Sequence, residues 1–135
     1  MDVDGLAREA VDCGLAIHRE LGPGLLESVY EMVLARALEK RGIRVERQRL
    51  ISFEFDGMTF EDAFRIGLLA EGKLLIEVKA VEKSSPVHAK QVLTYLRLMK
   101  LPVGLLMNFG MATFKDGLER IANNHIDRPP FGRNP

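Results

Sequence analysis

The chain reads as an α/β (α+β) protein, a mixed β-sheet flanked by helices in the order α-α-β-β-β-α-β-α. Three observations predict this. Two apolar repeats at helical spacing open the chain; a stretch of alternating and β-branched residues with two turn signals fills its middle; and two continuous apolar strands bracket a well-capped helix near its end.

The elements follow in order. Val3, Leu6, Ala10, Ile17 and Leu21 recur at helical spacing, which predicts a helix over Asp4 to Leu21, ended by the glycines of "GPG" at Gly22 to Gly24. Leu26, Val29, Tyr30, Val33, Ala37 and Leu38 mark a second helix, closed by Gly42. From Ile43 to Val81, turn signals at Asp56-Gly57 and Glu71-Gly72 divide the segment into three antiparallel strands. Ser85 then caps a helix with Pro86 at its first position, and Ala89, Val92, Leu93, Leu96 and Met99 form its apolar stripe. Pro102 interrupts, and "VGLLMNF" is a continuous apolar strand. Strand, helix, strand implies a crossover, with Val103 to Phe109 parallel to Leu74 to Val81. A short helix over Phe114 to Asn123 is expected to finish a single domain at residue 125, with 126–135 a loosely attached, proline-rich tail.

Composition narrows the class. At 135 residues the chain can bury a substantial core, and 47% hydrophobic with 28% charged residues is ordinary for a globular protein. Nineteen basic residues balance nineteen acidic ones, so global charge gives no support for tight nucleic-acid binding. The single cysteine, Cys13, excludes an internal disulfide and sits in a helical pattern as a packing residue. No apolar run reaches membrane-spanning length, and the acidic start "MDVDGLAREA" lacks the pattern of a signal peptide. A cytoplasmic protein without a membrane partner is expected.

The informative stretch is "LLIEVKAVEKSSPVHAKQVLTYL", Leu74 to Leu96. Alternation along the strand places Glu77 and Lys79 on one face, where two charges are costly unless paired, exposed in a cleft or bound to an ion. A carboxylate can hold a divalent metal, and a neighbouring ammonium can orient water or steady phosphate charge. An ion pair at a strand end is the plainer explanation, and it wins for an E-x-K triplet alone. On the following helix Gln91 and Tyr95 lie four apart and share a face offset from the apolar stripe. Glu27 stands just inside the second helix, where the helix dipole by itself favours a carboxylate.

Together "GLLESVY" (Gly24, Glu27, Tyr30), "IEVKAV", "SPVHAKQVLTYLRL" and "VGLLMNFG" resemble the GxxExxY family of the PD-(D/E)XK nuclease-like superfamily, over roughly residues 15–121. The resemblance implies a restriction-endonuclease-like core and Mg²⁺- or Mn²⁺-dependent hydrolysis of a nucleic-acid phosphodiester. It implies Glu77, the Val78 carbonyl and Glu27 as metal ligands or their supports. It implies Lys79 as the group that positions water and stabilises charge at phosphorus, and Gln91 and Tyr95 as the Q-x-x-x-Y helix motif. DNA or RNA is the implied partner, and a homo-oligomer is compatible with it.

One position departs from the family pattern. In "FRIGLLAE" Gly67 stands where the family carries the central metal-binding aspartate. A three-residue loop, Glu71-Gly72-Lys73, pairs Gly67 opposite Glu77, with Gly72 in the left-handed position. Glu61 lies six residues off, roughly 20 Å along a strand; Asp62 has the wrong parity; Glu71 is about 13 Å away. None replaces the missing acid. Two classes of function therefore stand: an impaired metal-dependent nuclease, or a non-catalytic nucleic-acid- or protein-binding module on the nuclease fold.

The remaining residues carry weaker signals. Arg36, Lys40, Arg41, Arg44, Arg47 and Arg49 form a basic stretch; with Arg65, Arg47 and Arg49 are the candidates to track a phosphate backbone. A solvated helix end and edge strand explain the stretch equally well. His18 is expected at the surface, and no Cys/His spacing suggests zinc.

Overall fold

The structure, a computed structural model, describes residues 1–125; the tail expected over 126–135 lies outside the described residues. Helix α1 (Val3–Leu21) is capped by Asp2, whose carboxylate accepts the Gly5 N–H at 2.8 Å. Its inward face buries Leu6, Ala10, Cys13 and Ile17. His18 belongs to that face too, contrary to the expectation of a surface residue. It is buried beside Phe109 and Phe114, with Nε2 2.9 Å from the Met111 carbonyl.

Helix α2 (Glu27–Lys40) buries Tyr30, Glu31, Leu34, Ala35 and Leu38. The loop before it turns through Gly22 and Gly24, at φ 67° and 120°. Tyr30 ties that loop down: its hydroxyl donates to the Gly22 carbonyl and accepts the Leu25 N–H at 3.2 Å. Its ring stacks on Phe109 with centroids 4.7 Å apart. The glycine and tyrosine of the "GLLESVY" motif are thus structural. Tyr30→Phe is expected to cost about 1–2 kcal/mol, because a partly buried N–H and C=O each lose a partner; urea unfolding checks this.

The strands are β1 (Val45–Phe55), β2 (Met58–Ala70), β3 (Leu74–Lys79), β4 (Val103–Asn108) and β5 (Leu118–Ala122). Among the described residues they form one five-stranded sheet in sequence order, with β3 and β4 parallel and the other neighbours antiparallel. Helix α3 (Pro86–Met99) makes the crossover, with the Ser85 hydroxyl accepting the Val87 N–H at 3.3 Å as its cap. Gly104 lets it approach the sheet: a Cβ there would lie 2.9 Å from Val92 Cγ1.

The predicted order holds through α4 (Phe114–Gly117), but the helix expected over Phe114 to Asn123 lasts a single turn. Gly117 lies against the Asn108 carbonyl, 2.1 Å from where a Cβ would stand. From there the chain leaves in extended form and pairs with β4, from Met107↔Leu118 to Val103↔Ala122.

Two cores cover the sheet. On one face α1 and α2 meet Leu68, Ala70, Leu74, Ile76 and Val78; on the other α3 meets Ile51, Ile66, Leu69 and Leu75. This is the predicted mixed sheet flanked by helices. No helix among the described residues is long and apolar enough to cross a membrane.

Two departures from regularity shape the site. First, β2 pairs with β3 only from Ala70↔Leu74 to Leu68↔Ile76, while β1 and β2 stay paired out to Phe55↔Met58. The sheet therefore forks: β3 continues alongside β4 to Lys79, and β1–β2 leave as a two-stranded ribbon. Second, the ribbon changes face at the fork. Residues two apart in a strand share a face, yet Ile66 packs with α3 and Leu68 with α1 and α2. The inversion falls at Gly67. Across from it, between the pairs Arg47↔Leu68 and Arg49↔Ile66, Gln48 takes a left-handed φ of 52°.

Candidate active site

Glu77 sits in the crotch of the fork. The register places it opposite Gly67, as the loop count predicts; Glu71 and Gly72 of that loop have φ 53° and 66°. The Gly67 N–H donates to Glu77 Oε1 at 2.9 Å, so the pairing of β2 and β3 ends on a side chain. Burial pushes the Glu77 carboxyl up to about 7. The Gly67 N–H and the Lys79 charge oppose that shift, and the charges of Glu31 and Glu27 add to it.

Glu31 was not visible as a site residue in the sequence. It lies one helical turn after Glu27 on α2 and is only 4% exposed. Its carboxylate reaches the space beside Gly67: a Cβ on residue 67 would stand 3.0 Å from Glu31 Oε2 and 3.2 Å from Glu77 Oε2. Gln48 Nε2 donates to both Glu31 oxygens, at 2.9 and 3.0 Å, and Arg47 Nη2 lies 3.3 Å from Oε1. The i, i+4 spacing of Glu27 and Glu31 was the available signal; the left-handed Gln48 had none.

The other expected site residues divide into two groups. Lys79 is half-buried next to Glu77 and makes no ion pair among the described residues. Val78 is buried between them in sequence. Tyr95 stacks on Phe64 with centroids 4.3 Å apart, and burial followed by the Glu77 charge raises its phenol pKa. Glu27 stands exposed in the first turn of α2. Lys79, Glu27 and Tyr95 thus lie within electrostatic reach of Glu77, whereas the Val78 side chain belongs to the core under α1 and α2. Gln91 lies exposed one turn before Tyr95 and makes no hydrogen bond among the described residues. Arg49 pairs with Glu46 at 3.2 Å, Arg65 donates to the Gln48 carbonyl at 3.3 Å, and Arg47 is held by Glu31.

The donor set does not fit the divalent ion that the resemblance implies. Residue 67 offers no oxygen, Glu77 spends Oε1 on a backbone N–H, and Glu31 is engaged by an amide and a guanidinium. Among the described residues no group of three or more His, Cys, Asp or Glu side chains is arranged to hold a metal ion. What the fork does offer is an ammonium, a phenol and a carboxyl that changes charge near neutrality.

A family model of the PD-(D/E)XK nuclease superfamily matches residues 4–121. No curated protein is significantly similar in sequence. Among solved structures, the crystal structure of SSO0001 superposes with a TM-score of 0.52 at 20% identity, which is a likeness of fold. The match covers 87% of this chain and 61% of that one, so the chain spans less than two thirds of that protein's length.

Proposed function

Because the chain belongs to the PD-(D/E)XK nuclease superfamily, we propose that it is a nuclease-like domain directed at nucleic-acid phosphodiesters, with its Mg²⁺- or Mn²⁺-dependent hydrolysis impaired at residue 67. Gly24, Glu27 and Tyr30 support the finer assignment to the GxxExxY group. The observation that carries the proposal is Gly67 facing Glu77 in the fork: the E-x-K strand is kept, and the position opposite it has no side chain.

The residues that remain bind rather than cleave. Lys79, with no ion pair within 4 Å among the described residues, suits a phosphate oxygen, and Arg49 and Arg65 stand exposed on the ribbon. Glu77, largely protonated below neutrality, repels that phosphate less than a carboxylate would. A protein-binding module is the second reading, favoured by the outer ribbon. There Phe55 and Met58, 66% and 55% exposed, share a face with Phe53 and Phe60.

Titration calorimetry with MnCl₂ on the chain and on Glu77→Ala, with cleavage assays on DNA and RNA, tests the proposal. No Glu77-dependent heat and no metal-dependent cleavage are expected. Mn²⁺ binding and cleavage that both vanish in Glu77→Ala would show a working centre and overturn it.

A further inference from the structure

Glu31 raises a question that the missing aspartate does not answer. A carboxylate brought into a packed sheet is destabilised unless charge and hydrogen bonds replace its lost water. Here both replacements come from consecutive residues of β1: Arg47 Nη2 at 3.3 Å from Oε1, and Gln48 Nε2 at 2.9 and 3.0 Å from the two oxygens. In a regular strand, consecutive side chains point to opposite faces. Arg47 and Gln48 reach one carboxylate because Gln48 is left-handed, at φ 52°. A non-glycine residue in that region is uncommon and strained, so the surrounding contacts must hold it there. The Gln48 side chain is held by Glu31, and the Gln48 carbonyl accepts from Arg65 Nη1 at 3.3 Å.

The same carboxylate crowds a side chain at residue 67, since its Oε2 lies 3.0 Å from the Cβ position and would have to give way. Glycine at 67 and the clamp on Glu31 are therefore two halves of one arrangement.

We infer that Arg47 and Gln48 form an internal counter-ion clamp that holds Glu31 in the space an acidic side chain at 67 would take, so that the charge of this carboxylate is met from β1 and not by a divalent ion. The inference rests on the reading of the fork as the superfamily's metal position. It adds a positioning role for Gln48, and it moves Arg47 from substrate contact to structural cation. With the clamp removed, Glu31 and Glu77 stand together with fewer partners, and one or two carboxylates with waters suffice for a small divalent ion.

The test is Mn²⁺ titration of Arg47→Met/Gln48→Leu, with Arg19→Met on the exposed side of α1 as the control for lost positive charge. Mn²⁺ affinity at least tenfold above the unaltered chain is expected, lost again when Glu31→Gln is added and absent in Arg19→Met. A folded Arg47→Met/Gln48→Leu chain with unaltered affinity overturns the clamp. Should that variant fail to fold, a cycle of Glu31→Gln and Arg47→Met by urea unfolding decides. Coupling of tenfold or more in the folding constant supports the clamp, and less than twofold overturns it. If instead the unaltered chain binds Mn²⁺ through Glu77, the functional reading fails, and the cycle still judges the clamp.

Discussion

Gly67→Asp is expected to bind Mn²⁺ where the unaltered chain does not, and to be less stable without it. The new Cβ would stand 3.0 Å from Glu31 Oε2 and 3.2 Å from Glu77 Oε2, both far ends of flexible side chains, and 3.3 Å from the Ile76 carbonyl. The first two can yield; the backbone yields less. The carboxylate that follows adds like charge to two neighbours, at roughly 3–4 kcal/mol per pair for separations of about 4–5 Å and an effective dielectric near 20. Protonation of Glu77 and displacement of Glu31 relieve part of this, leaving a net loss of about 2–4 kcal/mol in metal-free buffer. Mn²⁺ turns the repulsion into coordination and should restore the loss. Urea unfolding in EDTA and in MnCl₂ measures both arms. Gly67→Ala separates crowding from charge: a loss of about 1 kcal/mol and no response to Mn²⁺ are expected. A Gly67→Asp chain indifferent to Mn²⁺ would mean that residue 67 is not the family's acid position.

Stability should fall as pH rises from 5 to 8, and Glu77 should be the main cause. Its folded-state pKa of about 7 exceeds the ordinary value of 4.5, because burial disfavours the charge. The folded chain therefore keeps a proton that the unfolded chain releases. That contribution is complete below about 4.5 and is lost as pH rises through 7, after which the profile flattens. At about 1.4 kcal/mol per unit the whole shift corresponds to roughly 3 kcal/mol; residual solvent contact brings the expected loss to about 2 kcal/mol. Asp4 contributes with the opposite sign. The Arg120 hydrogen bond lowers its pKa, so its share is lost only as pH falls below the ordinary carboxylate range. Thermal melts of the chain and of Glu77→Gln across this window distinguish the cases. A flat profile in the unaltered chain, or an unchanged slope in Glu77→Gln, contradicts the assignment.

Much of the site was readable from turn chemistry. Counting back from a three-residue loop with glycine in the left-handed position put residue 67 opposite residue 77, and the Gly67–Glu77 hydrogen bond agrees. The α3 start was equally plain, since serine followed by proline leaves few alternatives. Other features depend on tertiary context. Glu31 sits beside Tyr30 in an ordinary helical run, and nothing local says that its side chain is buried rather than wet. His18 was hidden by its neighbours Arg19 and Glu20. The apolar residues of 114–123 suit a helix as well as a strand, and the strand wins because β4 offers an open edge. Gly117 marks the break, but a glycine alone does not say what it lies against.

The change of face at Gln48 and Gly67 has a consequence for how this strand pair can vary. A pleat has two phases, and here the phase slips partway along both strands. A sequence written as one unbroken amphipathic alternation would be correct on one side of the slip and inside out on the other. Hydrophobic patterns cannot be exchanged across it, because positions of one parity answer to different helices on its two sides: Ile66, outward of it, to α3, and Leu68, inward of it, to α1 and α2. A small residue at the slip eases the passage from one phase to the other. Smallness at 67 thus acquires a mechanical value of its own, one that would persist in descendants of this chain whether or not they ever regain an acid there.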